Sequence, residues 1–192
     1  MRKKQAGAAI MAGALFVAGI TGSYAAEVEG VQMEERIQVG SNELVLNGAG
    51  LRSRLFFKVY VAGLYLPKKS NSALAILNSS ESRRMQLKML RNVEADTLFT
   101  ALRDGLAENI TEAEASALKA ALGQFAQIFQ QVGNLRSGDS VSLDFNSHGV
   151  TISLNGSLRG KVAEPRLAIA LLKVWLGDKP VDAGLKKALL NS

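Results

Sequence analysis

The chain has 192 residues, 47% of them hydrophobic, with no cysteine and a formal charge of +6. The lack of thiols excludes disulfides, thiolate catalysis, zinc–thiolate sites and iron–sulfur clusters. There is no dense Lys/Arg run, and a single Trp and a single His give little for base stacking, which speaks against nucleic acid as a partner.

Residues 1–25 read as a cleaved secretory signal. Arg2, Lys3 and Lys4 make a positive start, Ala6–Gly22 is uncharged and apolar, and Ser23-Tyr24-Ala25 puts small residues at the −3 and −1 positions of a cleavage site. An uncleaved anchor would need about 20 strongly apolar residues, and this run is short and rich in Ala and Gly. The compact layout points to a bacterial periplasm, and the absence of a lipobox cysteine excludes a lipoprotein. Cleavage would leave one domain over residues 26–192, with 20 basic against 17 acidic residues. A chain of that length buries roughly 70% of its unfolded surface and needs no staples. Its mildly basic charge is compatible with weak contact to an anionic membrane face.

Residues 26–36 are mixed and polar and read as an edge strand or a loose arm. Gly40-Ser41-Asn42 marks a hairpin turn between Arg36–Val39 and Leu44–Leu46. Gly48-Ala49-Gly50 reads as a second turn, followed by Arg52 and Arg54 and by a long buried strand, Leu55–Leu66. Ser72–Asn78 is a short helix, and Arg83–Arg91 alternates as a half-buried strand should. Ala95, Leu98, Phe99, Leu102 and Leu106 form one helical stripe. Thr111 with Glu114 is a capping box that opens a further helix, carrying Leu118, Leu122, Phe125, Phe129 and Val132 and ended by Gly133. Strands then return at Val141–Phe145, Val150–Leu154 and Ser157–Val162, the last pair joined by the hairpin signal Asn155-Gly156. Pro165 starts an apolar helix through Leu176, and Asp182 caps a final one over Ala183–Leu190. The order predicts an α+β fold, a largely antiparallel sheet covered by helices on one face.

Two blocks carry a resemblance. Lys58-Val59-Tyr60-Val61-Ala62-Gly63-Leu64-Tyr65-Leu66, behind Gly-Ala-Gly and an arginine, is similar to the signature strand of the chalcone isomerase-like family. Trp175-Leu176-Gly177-Asp178-Lys179-Pro180-Val181 with Leu185–Leu189 is similar to that family's C-terminal block. The resemblance implies an open-faced β-sandwich. It also implies that Arg52 occupies the place of the arginine that, in true chalcone isomerases, stabilises the phenolate and the developing enolate.

The family's other working groups do not carry over. The strand threonine is replaced by Tyr60, the helical tyrosine falls near Phe99, the asparagine seven residues on falls near Leu106, and the polar residue before the C-terminal glycine falls at Val174. Cyclising a chalcone needs a positioned polar network as well as one cation, so no chalcone isomerase activity is expected. What remains resembles the fatty-acid-binding branch of the superfamily, in which an arginine and a tyrosine hold a carboxylate while the acyl chain lies between sheet and helices. Arg52, Tyr60 and Tyr65 are the candidate ligand-binding residues. Arg52 and Tyr60 share strand parity if no bulge intervenes, whereas Tyr65 has the opposite parity and is carried on its correspondence to a family tyrosine. Each tyrosine reads equally well as a core phenol.

The expected partner is a small amphipathic or acyl ligand, with no cofactor and no metal. Two alternatives stay open: an isomerase or lyase on another enolisable substrate, and an envelope interaction module whose cleft has filled with side chains. His148 stands alone in a turn. Glu108, Glu112 and Glu114 form a charge cluster at a helix start. Asp139, Asp144, Ser140 and His148 share one hairpin without a nucleophile elbow.

Overall fold

The computed structural model describes residues 24–191, with side chains from Ala26 onward; the expected leader at residues 1–25 lies almost wholly outside the described residues. Among the described residues the first elements are two antiparallel strands, β1 (Tyr24–Val28) and β2 (Val31–Glu34), that pair only with each other. Next come β3 (Arg36–Val39), β4 (Asn42–Arg54), β5 (Phe57–Leu66), helix α1 (Ala73–Asn78) and β6 (Arg83–Met89). A small pair, β7 (Val93–Glu94) and β8 (Asn134–Leu135), brackets helices α2 (Ala95–Ala107), α3 (Glu112–Ala117) and α4 (Lys119–Val132). The strands β9 (Ser140–Asn146), β10 (Gly149–Leu154) and β11 (Ser157–Val162) precede α5 (Pro165–Leu176) and α6 (Ala183–Leu190). Seven strands form one sheet in the order β11-β10-β9-β6-β5-β4-β3, with every neighbour antiparallel.

Strand alternation divides the core in two. One sheet face, with Leu64, Met85, Leu87, Leu143 and Ile152 inward, meets the helices. The other carries Ile37, Leu44, Leu46, Val61 and Tyr65 and is covered by Met33 of β2. The arm expected at residues 26–36 is therefore a hairpin that closes the second face. The buried face of β6 includes Arg83, whose Nη1 donates to the carbonyl of Ile76 at 2.7 Å.

Three sequence expectations are corrected. Gly48-Ala49-Gly50 is no turn; it lies inside β4, and its small residues serve a close approach. A Cβ at Gly48 would sit 2.1 Å from the carbonyl oxygen of Ala188, and one at Gly50 2.7 Å from the Ala188 Cβ. The two glycines let α6 lie directly on the strand backbone. The turn is instead at Leu55-Phe56, so β5 begins at Phe57 rather than at Leu55. The helix expected from residue 111 to 132 is two helices, broken at Leu118 (φ −92°, ψ −1°). Leu118 is itself buried, so the apolar stripe runs through the break and spacing does not reveal it. The Thr111–Glu114 capping box, Pro165 at the start of α5 and the Asp182 cap on α6 are all in place.

Candidate functional site

The site is built where the paired strands β4 and β5 face α2. Two register shifts shape this pairing. Asn47 is an extra residue on β4, and it flips strand parity so that Leu44 and Leu46 face the second core while Gly48, Gly50 and Arg52 face the helices. Asn47 is held there by its own amide: Nδ2 donates to the carbonyls of Leu189 (2.7 Å) and Ser70 (2.9 Å), and Oδ1 accepts from Ser70 N–H at 2.7 Å. Val59 is the extra residue on β5. Between the two shifts Arg52 and Tyr60 stand directly opposite each other, on the helix side. The two share a side through the Leu55-Phe56 turn and the Val59 bulge, not through the bulge-free strand parity that the sequence reading assumed.

A cleft of about 540 Å³ opens above them, within the roughly 300–1,000 Å³ typical of small-molecule sites. Val59, Leu98, Leu102 and Val181 give it apolar walls, Arg52 and Tyr60 lie along it, and Arg54 and Arg91 stand toward the β4–β5 hairpin. The cleft opens to the surface between the β4–β5 hairpin and α2. Burial pushes the Tyr60 phenol up to about 12, against the pull of the Trp175 hydrogen bond and of the nearby Arg52. The group therefore stays a neutral hydrogen-bond donor across the physiological range. Its oxygen accepts a hydrogen bond from Trp175 Nε1 at 3.1 Å, which fixes the ring and leaves the hydroxyl proton to be given elsewhere.

Arg52 is partly covered, with 21% of its side chain exposed, and it is not free. Its Nη1 lies 3.6 Å from Asp182 Oδ2 and also donates to the carbonyl of Ser53. Asp182 does more than face the arginine, because its Oδ1 accepts from Leu185 N–H at 2.9 Å and so caps α6. Asp182 and Trp175, both drawn from the C-terminal region, are the site residues that sequence reasoning missed. The available signal was the C-terminal block, whose Trp and Gly each meet a distant residue. Gly177 packs so tightly on Asn109 that a Cβ would lie 2.3 Å from Oδ1.

Tyr65 is placed elsewhere. Five residues from Tyr60, it points to the opposite face, into the core with Met33 and Leu46. It is fully buried, and its hydroxyl has no hydrogen-bond partner among the described residues. Burial, with Glu34 nearby, raises its phenol strongly. The structure does not bring it to the cleft, so strand parity overrides the correspondence that had carried it. Phe99 turns toward α4, with ring centroids 6.0 and 6.1 Å from those of Phe125 and Phe129. Leu106 is buried in the helical core, and Val174 fills the α2–α5 crossing against Gly105.

The remaining polar candidates are occupied structurally. Asp144 takes a bidentate ion pair from Arg84 (2.5 and 2.8 Å). Asp139 accepts from Arg136 N–H at 2.7 Å and from Asn155 Nδ2 at 2.8 Å, and Glu114 closes the capping box. The His148 ring meets the neighbouring Ser147 hydroxyl, its backbone N–H donates to Asn146 Oδ1 at 2.8 Å, and the residue lies outside the cleft. Among the described residues no cluster of His, Asp and Glu is arranged to hold a metal ion.

No curated protein matches the sequence. Among solved structures, a fatty-acid-binding protein of Arabidopsis thaliana superposes with a TM-score of 0.66 at 17% identity, covering 84% of this chain and 92% of that one. At that identity the likeness is one of fold. The chalcone isomerase-like family matches residues 25–191, and with a curled antiparallel sheet, a helical cover and both signature blocks in place, the chain belongs to that family.

Proposed function

We propose that the protein binds a small amphipathic acid, a fatty acid in the simplest case, and does not turn it over. The observation that carries this reading is the cross-strand pair of Arg52 and Tyr60, a cation beside a neutral phenol, lining an apolar cleft of about 540 Å³. A carboxylate needs such a pair, since a guanidinium and a hydroxyl both donate. The acyl body would lie against Val59, Leu98, Leu102 and Val181. The Arabidopsis protein of the same fold, a fatty-acid-binding protein by its own description, supports the ligand class by analogy. Against catalysis stand Phe99, Leu106 and Val174, where packing side chains replace the family's polar groups. Export to the periplasm belongs to the same reading and rests on the basic, then apolar, N-terminal segment.

The test is native purification of the protein and of an Arg52→Gln variant, with mass spectrometry of co-purified small molecules and titration with decanoate. Wild type should carry acyl chains and bind decanoate. The variant should lose the bound acids and weaken decanoate binding by about ten-fold or more, the loss of one charge-assisted contact. An empty wild-type protein that ignores decanoate overturns the reading, and turnover of an added enone overturns its non-catalytic part.

A further inference from the structure

The hairpin joining β4 to β5 breaks two local rules. Its turn is Leu55-Phe56, with Arg54 paired to Phe57 across it. Two-residue hairpin turns favour Gly, Asn and Asp, because positive φ is costly for other residues. The Asn155-Gly156 turn follows that rule, with φ of +51° and +78°. Leu55 takes φ +55° with a bulky side chain. Leu55 and Phe56 also project into solvent, 84% and 98% exposed, and Phe57 beside them is 57% exposed. Apolar bulk that runs against both backbone preference and solvation points to a role outside the fold's own stability.

Two cations flank the tip. Arg54 adjoins the turn, and the Arg91 guanidinium lies 4.6 Å above the Phe57 ring. Neither forms an ion pair among the described residues, whereas Lys58 is engaged by Glu29. Glu94 and Asp104 line the cleft on its α2 side, away from the hairpin tip, and Asp182 is held by Arg52. Size selects the kind of partner. A stable protein contact buries about 1,200–2,000 Å², while two side chains offer roughly a few hundred. A narrow apolar tip flanked by Arg54 and Arg91 suits a fluid interface that closes around it, with anionic headgroups above and hydrocarbon below.

We propose that Leu55-Phe56 is a docking wedge for an anionic lipid bilayer, with Arg54 and Arg91 engaging headgroup phosphates. Arg54, Leu55, Phe57 and Arg91 also line the cleft, so docking sets its mouth against the membrane, and an acyl ligand enters from the bilayer without crossing water. That second step rests on the acid-binding reading; the docking rests on the hairpin alone.

Flotation with vesicles of phosphatidylethanolamine and phosphatidylglycerol, and with vesicles of phosphatidylcholine alone, tests the docking on wild type and Phe56→Ser. Phe56 is almost fully exposed and does not line the cleft, so the variant should keep its melting temperature and its binding of dissolved decanoate. Wild type should float with the phosphatidylglycerol vesicles and hardly with the others, and Phe56→Ser should partition about ten-fold less. Wild type that stays in the aqueous layer with both vesicles, or a variant that floats as well as wild type, overturns the proposal. So does self-association of wild type that Phe56→Ser abolishes, which would make the tip a protein contact. Flotation without decanoate binding supports the docking while removing the acid-binding reading; decanoate binding without flotation does the reverse.

Discussion

Arg52 is the residue on which the ligand reading turns, and Asp182 is its competitor. The two side chains are 21% and 27% exposed and 3.6 Å apart, a pairing that contributes about 1 kcal/mol or less to stability at such exposure. On the acid-binding reading its larger effect is on binding, because an incoming carboxylate would have to share or displace Asp182. Asp182 also caps α6 through Oδ1, and Asn caps a helix nearly as well. Asp182→Asn should therefore leave the melting temperature within a few degrees of wild type and tighten decanoate binding by about three- to ten-fold, the worth of one partly screened charge. Calorimetric titration at low salt would measure it. Unchanged or weaker binding would mean that the carboxylate positions the arginine more than it blocks it.

At the scale of elements, the sheet and helices were largely legible because their signals are local. The capping box at Thr111, Pro165 at a first helical position, the Asn155-Gly156 turn and the alternation in β6 each state their structure within a few residues. The misread elements depend on contacts remote in sequence. Gly48-Ala49-Gly50 resembles a turn because glycines usually mark one, but here they answer to α6, some 140 residues on. The parity count that pairs Arg52 with Tyr60 assumes no bulge, whereas the Val59 bulge that sets their opposition and the Asn47 bulge that turns Arg52 toward the helices carry no local mark, and Asp182 is invisible as a site residue until α6 is laid on β4. The glycine explanation makes a sharp prediction. Gly48→Ala places a methyl 2.1 and 2.7 Å from two backbone oxygens of α6. Backbone cannot step aside as a flexible side chain can, so α6 must shift. Overpacking of this kind costs about 1–3 kcal/mol, and for a chain of this size thermal unfolding should move down by about 2–4 °C per kcal/mol. The same shift displaces Asp182 from Arg52, so decanoate affinity should change with it; a variant as stable as wild type would refute the close approach.

Across the whole molecule, β5 is a wall shared by two cores, and it places one tyrosine in each. Tyr60 faces the helices and has Trp175 as a partner; Tyr65 faces the β1–β2 cover and has none among the described residues. Both phenols are held above their ordinary value of 10.0, mainly by burial. The consequence for stability has a definite sign. Below pH 10 the phenols are neutral in both states and the fold is unaffected. Above it the unfolded chain releases these protons while the native protein does not, so the unfolded state gains and stability falls as pH rises. For Tyr60, held up to about 12, the loss runs from about pH 10 to 12 and is on the order of 2–3 kcal/mol. Tyr65 acts in the same direction and can be tested separately. Tyr65→Phe removes a buried hydroxyl that makes no hydrogen bond, a change that is nearly neutral or stabilising at pH 7, and it deletes one of the two titrations. Denaturant melts across the alkaline range should show wild type losing stability steeply above pH 10 and Tyr65→Phe losing it on a shallower slope, with decanoate binding at pH 7 unchanged because residue 65 lies on the far side of the sheet from the cleft. Equal slopes for the two proteins would mean that the Tyr65 hydroxyl finds a partner in solution, and weakened decanoate binding would mean that the two cores communicate through β5.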